Sequence, residues 1–297
     1  MISIKQIRYA LAVEKTLHFR KAADNCAVSQ SALSTALNEL EVQLGFQVFE
    51  RDNKKVLVTP MGRIFLEKAR SVSVQIDDIL RLRQTDKAPL STPLTIGMIP
   101  TIAPYLLPIV LPAVAARYPA AKLKIVEAQS KELVERVRDG ELDTAVLALP
   151  YDCDNLLSFP FWDEDFYWVA PSDGDQEVRE RITSEELSRE NLMLLSEGHC
   201  LKDHALAACK FSNAVAHSMS ATSLNTLIQL VVAGLGSTLV PEMALDQLVC
   251  NDKRLQYARL DEPGPHRKIA FIMRATYPKL DSIQALQDVF TQALGNR

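Results

Sequence analysis

The five cysteines carry the most reactive side chains of this chain: Cys26, Cys153, Cys200, Cys209 and Cys250. A cysteine thiolate attacks peroxides and disulfides, whereas the neutral thiol hardly reacts, so a reactive cysteine needs a nearby cation or helix N-terminus. Their number is odd and their spacing matches no zinc motif. We therefore predict free thiols at rest, no metal site and no cofactor.

Cys200 and Cys209 lie nine residues apart around a helical pattern. Cys200 follows His199 and directly precedes the helical segment Lys202 to Lys210. The amides at a helix N-terminus favour an anion and would lower the thiol pKa from about 8.5. Spacing alone, however, fits two small buried thiols better than a reactive pair. The other three cysteines have no comparable setting and are predicted to be ordinary residues.

The elements around these cysteines belong to the second of two regions. A chain of 297 residues is long enough for about two domains, and 47% hydrophobic with 24% charged residues excludes disorder. Before Lys87 the pattern is helical, whereas from Leu94 short apolar strands alternate with helices. Such alternation indicates an α/β region of parallel sheets covered by helices, so we place a hinge linker at residues 85–92.

Charge and hydropathy differ along the chain. Residues 1–87 hold 14 Lys and Arg against 10 Asp and Glu, while the remaining residues hold 19 against 27. A basic head on an acidic body suggests that only the head meets a polyanion. The first twenty residues are too charged for a secretory signal, and no apolar stretch is long enough to span a bilayer. We expect a cytoplasmic protein without a membrane partner.

The basic head contains a helix with two distinct faces. It opens at Ser29, after a short helix at 19–26, and its inward stripe is Leu33, Ala36, Leu37, Leu40 and Leu44. The opposite face is polar and uncharged, so it could read base edges in a major groove; it comprises Ser29, Gln30, Ser31, Ser34, Thr35 and Asn38. Basic side chains around it could contact phosphates, namely Arg20, Lys21, Arg51, Lys54 and Lys55. A merely solvated face is the alternative.

A longer helix follows from Pro60, with Thr59 as its predicted cap. It carries apolar residues at alternating spacings of four and three, the seam of a two-stranded coiled coil: Phe65, Ala69, Val72, Ile76 and Ile79. The alternative is that this stripe packs on its own domain. We favour pairing with a second chain, because a twofold DNA reader needs two recognition helices.

The string AADNCAVSQSALSTALNELEVQLGFQVFERDNKKVLVTPMG closely resembles the winged helix-turn-helix of LysR-type transcriptional regulators. The resemblance covers the whole chain and implies an α/β protein with an N-terminal winged helix-turn-helix at 1–59 and a dimerisation helix at 60–84. It implies a regulatory domain at 93–297, built as two α/β subdomains like a type 2 periplasmic binding protein. Subdomain I would comprise residues 93–162 and 269–297, and subdomain II residues 163–268.

The segment from Leu194 to Cys209, LLSEGHCLKDHALAAC, resembles the sensing region of the peroxide-responsive OxyR branch of that family. The resemblance implies that hydrogen peroxide oxidises Cys200, which then forms a reversible disulfide with Cys209. It also implies a peroxide pocket made of Thr101, Ser130, His199, Asp203 and Arg267. Ser130 stands where this branch usually has threonine, so its hydroxyl is kept and its methyl is lost.

Helix geometry would make such a disulfide a switch. Nine helical residues separate two α carbons by about 13.5 Å, whereas a disulfide tolerates about 7 Å. Closing the bond would therefore unwind the segment. Closing a ten-residue loop corresponds to only about 2.7 kcal/mol, so we expect a reversible response.

The sequence as a whole predicts a peroxide-sensing transcriptional activator rather than an enzyme. Its expected partners are promoter DNA, further copies of the chain in a dimer or tetramer, RNA polymerase, hydrogen peroxide as the signal and a thiol reductant for reset. The alternatives are a LysR-type regulator that binds a small organic inducer between the subdomains and a thiol peroxidase. The first leaves the cysteine pair without a purpose, and the second leaves the DNA-reading head unexplained.

Overall fold

The computed structural model describes residues 1–52, 55–82, 88–172, 179–211 and 220–295. Lys54, the side chain of Arg51 and linker residues 85–87 lie outside this description. The chain divides into two compact units, Met1–Thr85 and Asp86–Arg297. Among the described helices, none is both long and apolar enough to cross a bilayer.

The first unit is a winged helix-turn-helix, as the sequence predicts. Its elements in chain order are α1 (Ile4–Thr16), α2 (Phe19–Asn25), α3 (Gln30–Leu44), β1 (Phe49–Asp52), β2 (Lys55–Val58) and α4 (Pro60–Leu82). Strands β1 and β2 pair antiparallel and form the wing. The hydroxyl of Ser29 accepts a hydrogen bond from the amide of Ala32 and begins α3, while Gly45 at φ +74° ends it.

The inward stripe of α3 forms the core of this unit. Leu33, Leu37 and Leu40 are fully buried, and they belong to one cluster with residues of α1, α2 and the wing. Ala36 and Leu44 lie at the edge of that cluster. This packing leaves the predicted polar face of α3 turned away from the core.

Thr59 and Gly62 join the wing to α4. The Thr59 hydroxyl accepts a hydrogen bond from the Gly62 amide at 2.8 Å and donates one to the Gln47 carbonyl at 2.7 Å. A β carbon at Gly62 would lie 2.2 Å from the carbonyl oxygen of Val48, so only glycine allows this close approach.

The second unit contains two sheets. The five-stranded sheet has the order β4-β3-β5-β13-β6. Its strands and helices are β3 (Leu94–Met98), α5 (Ala103–Arg117), β4 (Leu123–Glu127), α6 (Ser130–Arg138), β5 (Thr144–Leu149), β6 (Leu157–Glu164), β13 (Arg267–Met273) and α11 (Leu280–Gly295).

The six-stranded sheet has the order β10-β9-β11-β7-β12-β8. Its elements are β7 (Phe166–Pro171), β8 (Arg181–Ile182), α7 (Ser184–Leu187), β9 (Leu192–Leu195), α8 (Cys200–Ala208), β10 (Ser220–Ala221), α9 (Leu224–Val232), β11 (Ser237–Pro241), a 3-10 turn (Glu242–Ala244), α10 (Leu245–Leu248) and β12 (Leu255–Leu260).

The expectation of wholly parallel sheets is wrong, because both sheets are mixed. Strand β3 pairs parallel with β4 and β5, but β13 runs antiparallel to β5 and β6. Strand β7 likewise runs antiparallel to β11 and β12. The antiparallel strands lie where the chain passes from one sheet to the other, at Asp165 and between Leu260 and Arg267.

The second half of the predicted linker packs on the regulatory unit. The side chain of Leu90 is buried in the core of that unit, and its amide donates to the hydroxyl of Ser282 on α11 at 3.2 Å. The ammonium of Lys279 donates to the hydroxyl of Thr92. The chain from Ala88 onward is therefore part of the regulatory fold.

Candidate functional site

Helix α8 brings the two candidate cysteines to its opposite ends. It begins at Cys200 and ends at Ala208, two residues earlier at each end than the predicted segment Lys202–Lys210. Cys200 is its first residue and Cys209 follows its last. Both thiols are buried and free. Nine residue steps along a helix place their α carbons about 13.5 Å apart.

A tight turn at Gly198 introduces α8. Gly198 adopts φ +92°, and a β carbon there would lie 2.4 Å from Oε1 of Gln129. The side-chain nitrogen Nε2 of Gln129 lies 3.4 Å from Nε2 of His199, which precedes Cys200. Gln129 follows β4 of the five-stranded sheet, whereas His199 follows β9 of the six-stranded sheet. This contact therefore joins the two halves of the unit next to Cys200.

Cys200 lines a small pocket between these elements. The pocket encloses about 160 Å³ and is lined by Ile99, Pro100, Thr101, Gln129, Ser130, Gly198, His199 and Cys200. In this conformation it does not admit a water-sized sphere. Three predicted pocket residues, Thr101, Ser130 and His199, thus lie together with Cys200.

The expected lowering of the Cys200 pKa is wrong for this state. Burial raises the pKa of the Cys200 thiol, and Asp203 adds to the increase. The Ser130 hydroxyl, the Arg267 guanidinium and the Ala148 backbone act in the opposite direction. The helix N-terminus and neighbouring cation are present as predicted, but the cost of burying a thiolate exceeds their effect.

The surroundings of Cys209 also disfavour a thiolate. Burial raises the pKa of its thiol to about 12, and the negative charge of Glu262 contributes. The Cys200 thiol, in contrast, has a hydroxyl and a guanidinium beside it that favour its thiolate.

Ser130 begins α6, and its side chain is buried against Cys200. Its hydroxyl holds the pKa of Cys200 down, yet Oγ makes no hydrogen bond of regular geometry to any residue in the described ranges. A buried hydroxyl without such a bond normally meets a water or ligand. The hydroxyl is thus available to a small polar molecule beside the sulfur.

Arg267 is buried behind Thr101 and does not itself line the pocket. Its Nε donates to Oε2 of Glu164 at 2.7 Å, and both side chains are 0% exposed. Its Nη1 and Nη2 donate to the hydroxyl and carbonyl of Thr101, each at 3.3 Å. The guanidinium thereby places its positive charge near Cys200 without contacting solvent.

Asp203 lies outside the predicted pocket, whereas His199 lies inside it. Asp203 is exposed and contributes no side chain to the pocket wall. His199 is buried and in the pocket, but burial lowers its pKa, against a hydrogen bond with the Thr222 backbone. His199 is therefore neutral at pH 7 and supplies no cation to Cys200 in this state.

Three residues that the sequence did not indicate also contribute to the site, namely Glu164, Gln129 and His204. His204 is buried on α8, and its Nε2 donates to the carbonyl of Pro150 at 2.8 Å. Burial chiefly lowers its pKa. The only sequence signal for His204 is its position one helical turn after Cys200. Glu164 lies in the acidic run Asp163–Asp165, a pattern more typical of a surface.

The remaining cysteines lie apart from this pocket. Cys26 and Cys153 are half-buried, and burial raises the pKa of each. Cys250 is exposed. The described residues contain no group of three or more His, Cys, Asp or Glu that could hold a metal ion.

The predicted DNA-reading residues form a second candidate site on the first unit. Around α3 the exposed side chains are Arg20, Lys21, Ser29, Gln30, Ser31, Thr35, Asn38 and Lys55, and Ser34 is half-exposed. On α4, Ala69 is buried within its own chain, whereas Val72 and Ile79 are 40% and 63% exposed. Phe65 and Ile76 are half-buried. The seam is therefore open along its later part.

Comparison with known proteins assigns both units of the chain to family models. The model for the bacterial regulatory helix-turn-helix proteins of the lysR family matches residues 4–63, and the LysR substrate binding domain matches residues 87–295. A probable hydrogen peroxide-inducible genes activator of Streptomyces viridosporus is 38% identical over 98% of this chain and 94% of its own length. The HTH-type transcriptional regulator EstR of Acinetobacter baylyi is 37% identical over 97% and 95%.

Among solved structures, a cysteine-to-aspartate variant of full-length OxyR from Pseudomonas aeruginosa superimposes with a TM-score of 0.78. It is 32% identical, and the match covers 98% of this chain and 95% of that one. The predicted resemblance to LysR-type regulators, and within them to OxyR, is thus confirmed. The chain belongs to the LysR family of bacterial transcriptional regulators.

Proposed function

We propose that this chain is a DNA-binding transcriptional regulator that senses hydrogen peroxide through Cys200 and Cys209. The observation that carries the proposal is the placement of two buried thiols at opposite ends of α8, one of them beside a pocket. That pocket offers the Ser130 hydroxyl and lies next to the buried guanidinium of Arg267. The name of the Streptomyces viridosporus relative, a probable hydrogen peroxide-inducible genes activator, supports the same signal.

The proposed reaction has two steps. The Cys200 thiolate attacks one peroxide oxygen, the O–O bond breaks, and the departing hydroxide takes up the proton that the thiol released and leaves as water. The resulting sulfenic acid reacts with the Cys209 thiol, which forms the S–S bond and releases a second water. Overall, two thiols and one peroxide give one disulfide and two waters, and an external dithiol reverses the change.

The order of the two cysteines follows from their surroundings. Burial raises the pKa of both thiols. Of the two, Cys200 has the Ser130 hydroxyl and the Arg267 charge to stabilise its thiolate, and it is Cys200 that lines the pocket. Cys200 therefore attacks the peroxide, and Cys209 resolves the sulfenic acid.

Disulfide formation must dismantle α8, because a disulfide tolerates only about 7 Å between α carbons. Unwinding releases the buried side chains of Leu201 and Leu206, each worth about 1.5–3 kcal/mol of burial. Closing the ten-residue loop costs about 2.7 kcal/mol of chain entropy, which is on the same scale as this lost burial. Both costs favour the reduced state, so the disulfide forms when peroxide drives it and a reductant can restore the helix.

The winged helix-turn-helix would convert the redox change into a change in DNA binding. Exposed polar side chains on α3 would read bases, with basic neighbours on phosphates. The open part of the α4 seam would pair two chains, and the repacked regulatory unit would rearrange a dimer or tetramer at promoter DNA. RNA polymerase and a thiol reductant complete the proposed partners, in the cytoplasm where the DNA is.

A regulator that binds a small organic inducer between the subdomains is the second candidate, and the match to the LysR substrate binding domain favours it. The pocket beside Cys200 counts against it, because in this conformation the pocket does not admit a water-sized sphere, whereas ligand sites usually offer roughly 300–1,000 Å³. Hydrogen peroxide is little larger than water, so this site would have to open less for it than for an organic inducer.

Exchanging each cysteine for serine separates their roles. Cys200→Ser should abolish the peroxide response, because no competent nucleophile remains. Cys209→Ser should instead accumulate a sulfenic acid at Cys200, detected with a dimedone-type trap and peptide mass spectrometry. Cys250→Ser is the matched control and should behave as the unmodified chain. Oxidation of Cys153 or Cys250 as fast as Cys200 would refute the assignment.

The raised pKa of Cys200 predicts how oxidation depends on pH. Below that pKa the thiolate fraction rises about tenfold per pH unit, so the rate constant should rise in proportion between pH 6 and 8. The measurement is stopped-flow oxidation of the Cys209→Ser variant. A plateau below pH 8 would show instead that the site depresses the pKa before reaction.

Substitutions on the first unit distinguish base contacts from phosphate contacts. Gln30→Ala or Ser34→Ala should change base preference, whereas Lys55→Ala should weaken all sequences alike and reduce the salt slope by about one. Lys124→Ala on the regulatory unit removes the same charge and should leave binding unchanged. Fluorescence anisotropy with promoter fragments at several salt concentrations measures both effects.

The open seam of α4 predicts a sensitive position at Val72. Val72→Glu places two carboxylates face to face in an apolar interface, so the dimer should dissociate while the fold persists. Gln75→Glu, at an exposed position outside the seam, adds the same charge and should leave the dimer intact. Sedimentation equilibrium that shows an unchanged mass for Val72→Glu would contradict the seam.

A further inference from the structure

We propose that Glu164 is a positioning residue whose buried carboxylate fixes the guanidinium of Arg267 against Thr101, beside Cys200. The inference rests on the proposed function, because the reaction that it serves is the oxidation of Cys200. Glu164 touches neither the pocket nor the sulfur, so any effect on the reaction must pass through Arg267.

The backbone places the two charges opposite each other. Glu164 is the last residue of β6 and the register partner of Arg267, the first residue of β13. Its Oε2 accepts from Arg267 Nε at 2.7 Å, and its Oε1 accepts from the Met243 amide at 2.7 Å. Both oxygens are thus engaged, and the carboxylate links the two crossover strands to the 3-10 turn after β11.

The contacts of Arg267 are unequal in strength. The bond from Nε to Glu164 is short and joins two charges, whereas the bonds to the hydroxyl and carbonyl of Thr101 are both 3.3 Å long. All three bonds are charge-assisted, because the donor is ionised, but only the bond to Glu164 also has an ionised acceptor. Glu164 therefore fixes the orientation of the guanidinium. That orientation decides whether Nη1 and Nη2 reach the hydroxyl and carbonyl of Thr101.

Burial makes the partnership obligatory. The guanidinium has no solvent contact, so without Glu164 its charge would be uncompensated in the protein interior. The carboxylate also has an opposite influence, since its negative charge weakens the field of Arg267 at Cys200. Positioning and neutralisation thus predict opposite effects on the rate of oxidation when the carboxylate is replaced.

The substitution Glu164→Gln tests whether positioning or charge neutralisation has the larger effect on the rate of oxidation. The amide of Glu164→Gln offers one acceptor oxygen and one donor nitrogen, but both neighbours, Arg267 Nε and the Met243 amide, are donors. The bond from Arg267 Nε is therefore either broken or kept to a neutral oxygen, and it is weaker in both cases. In the positioning role, the guanidinium then shifts and Thr101 loses its donors.

The experiment compares the rate constant of Cys200 oxidation by hydrogen peroxide in the full chain carrying Cys209→Ser. Glu164→Gln should slow oxidation about tenfold, the loss expected for one misplaced hydrogen bond to a charged group. Asp163→Asn is the matched control: it removes the neighbouring carboxylate, which pairs with exposed Lys268 at 3.2 Å, and should change the rate less than twofold. Oxidation of Glu164→Gln as fast as the control, or faster, would overturn the proposal.

A double-mutant cycle separates positioning from a general loss of structure. In an Arg267→Met background, Glu164→Gln should have no further effect on the rate, because the group that it positions is absent. The double variant also carries no uncompensated buried charge, which keeps it folded where the single variants are strained. Equal slowing by Glu164→Gln in both backgrounds would assign Glu164 a merely structural role.

The same cycle measured by iodoacetamide alkylation of Cys200 keeps the two proposals distinguishable. Alkylation needs the thiolate but no peroxide, and it should follow the same order of variants. If the unmodified chain is alkylated at Cys200 but not oxidised by peroxide, the proposed function fails while the role of Glu164 is still decided. If the unmodified chain is oxidised and the cycle is additive, only the role of Glu164 fails.

Discussion

A guanidinium without access to water must find its partners inside the protein, and Arg267, at the start of β13, finds them on two other segments. Glu164 supplies the opposite charge from β6, and Thr101 supplies a hydroxyl and a carbonyl before α5. These segments belong to the five-stranded sheet and its connections, and the Glu164 carboxylate also accepts from the Met243 amide after β11 of the six-stranded sheet. The buried charge therefore couples the fold of the two halves to the electrostatics of the thiol, because the same guanidinium opposes the increase in the pKa of Cys200.

The second determinant is the mismatch between a helix and a disulfide. An intact α8 keeps Cys200 and Cys209 too far apart to react with each other, so the resting dithiol is protected by geometry as well as by burial. His204 contributes to this arrangement by holding the helix to the Pro150 carbonyl. The stability of one short helix thus sets the threshold between the two proposed states.

Local patterns in the sequence were sufficient for much of this architecture, because helices and strands are encoded by nearby residues. The stripe of Leu33, Leu37 and Leu40 predicts α3, and Thr59 with Pro60 predicts the observed start of α4. Properties that depend on long-range contacts were missed or wrong. The partnership of Glu164 with Arg267 spans more than a hundred residues, and the raised pKa of Cys200 depends on burial by segments from both sheets. The exposure of Asp203 likewise follows from the rotation of α8 on its neighbours.

The packing of Leu90 and Thr92 on α11 has a practical consequence for the design of chimeric regulators. A fusion that joins a foreign DNA-binding module after residue 92 would remove a core side chain and two hydrogen bonds from the sensor itself. A junction placed before Ala88 would transfer the sensor with its anchoring segment intact. The modular boundary for engineering therefore precedes the point at which the composition of the chain changes.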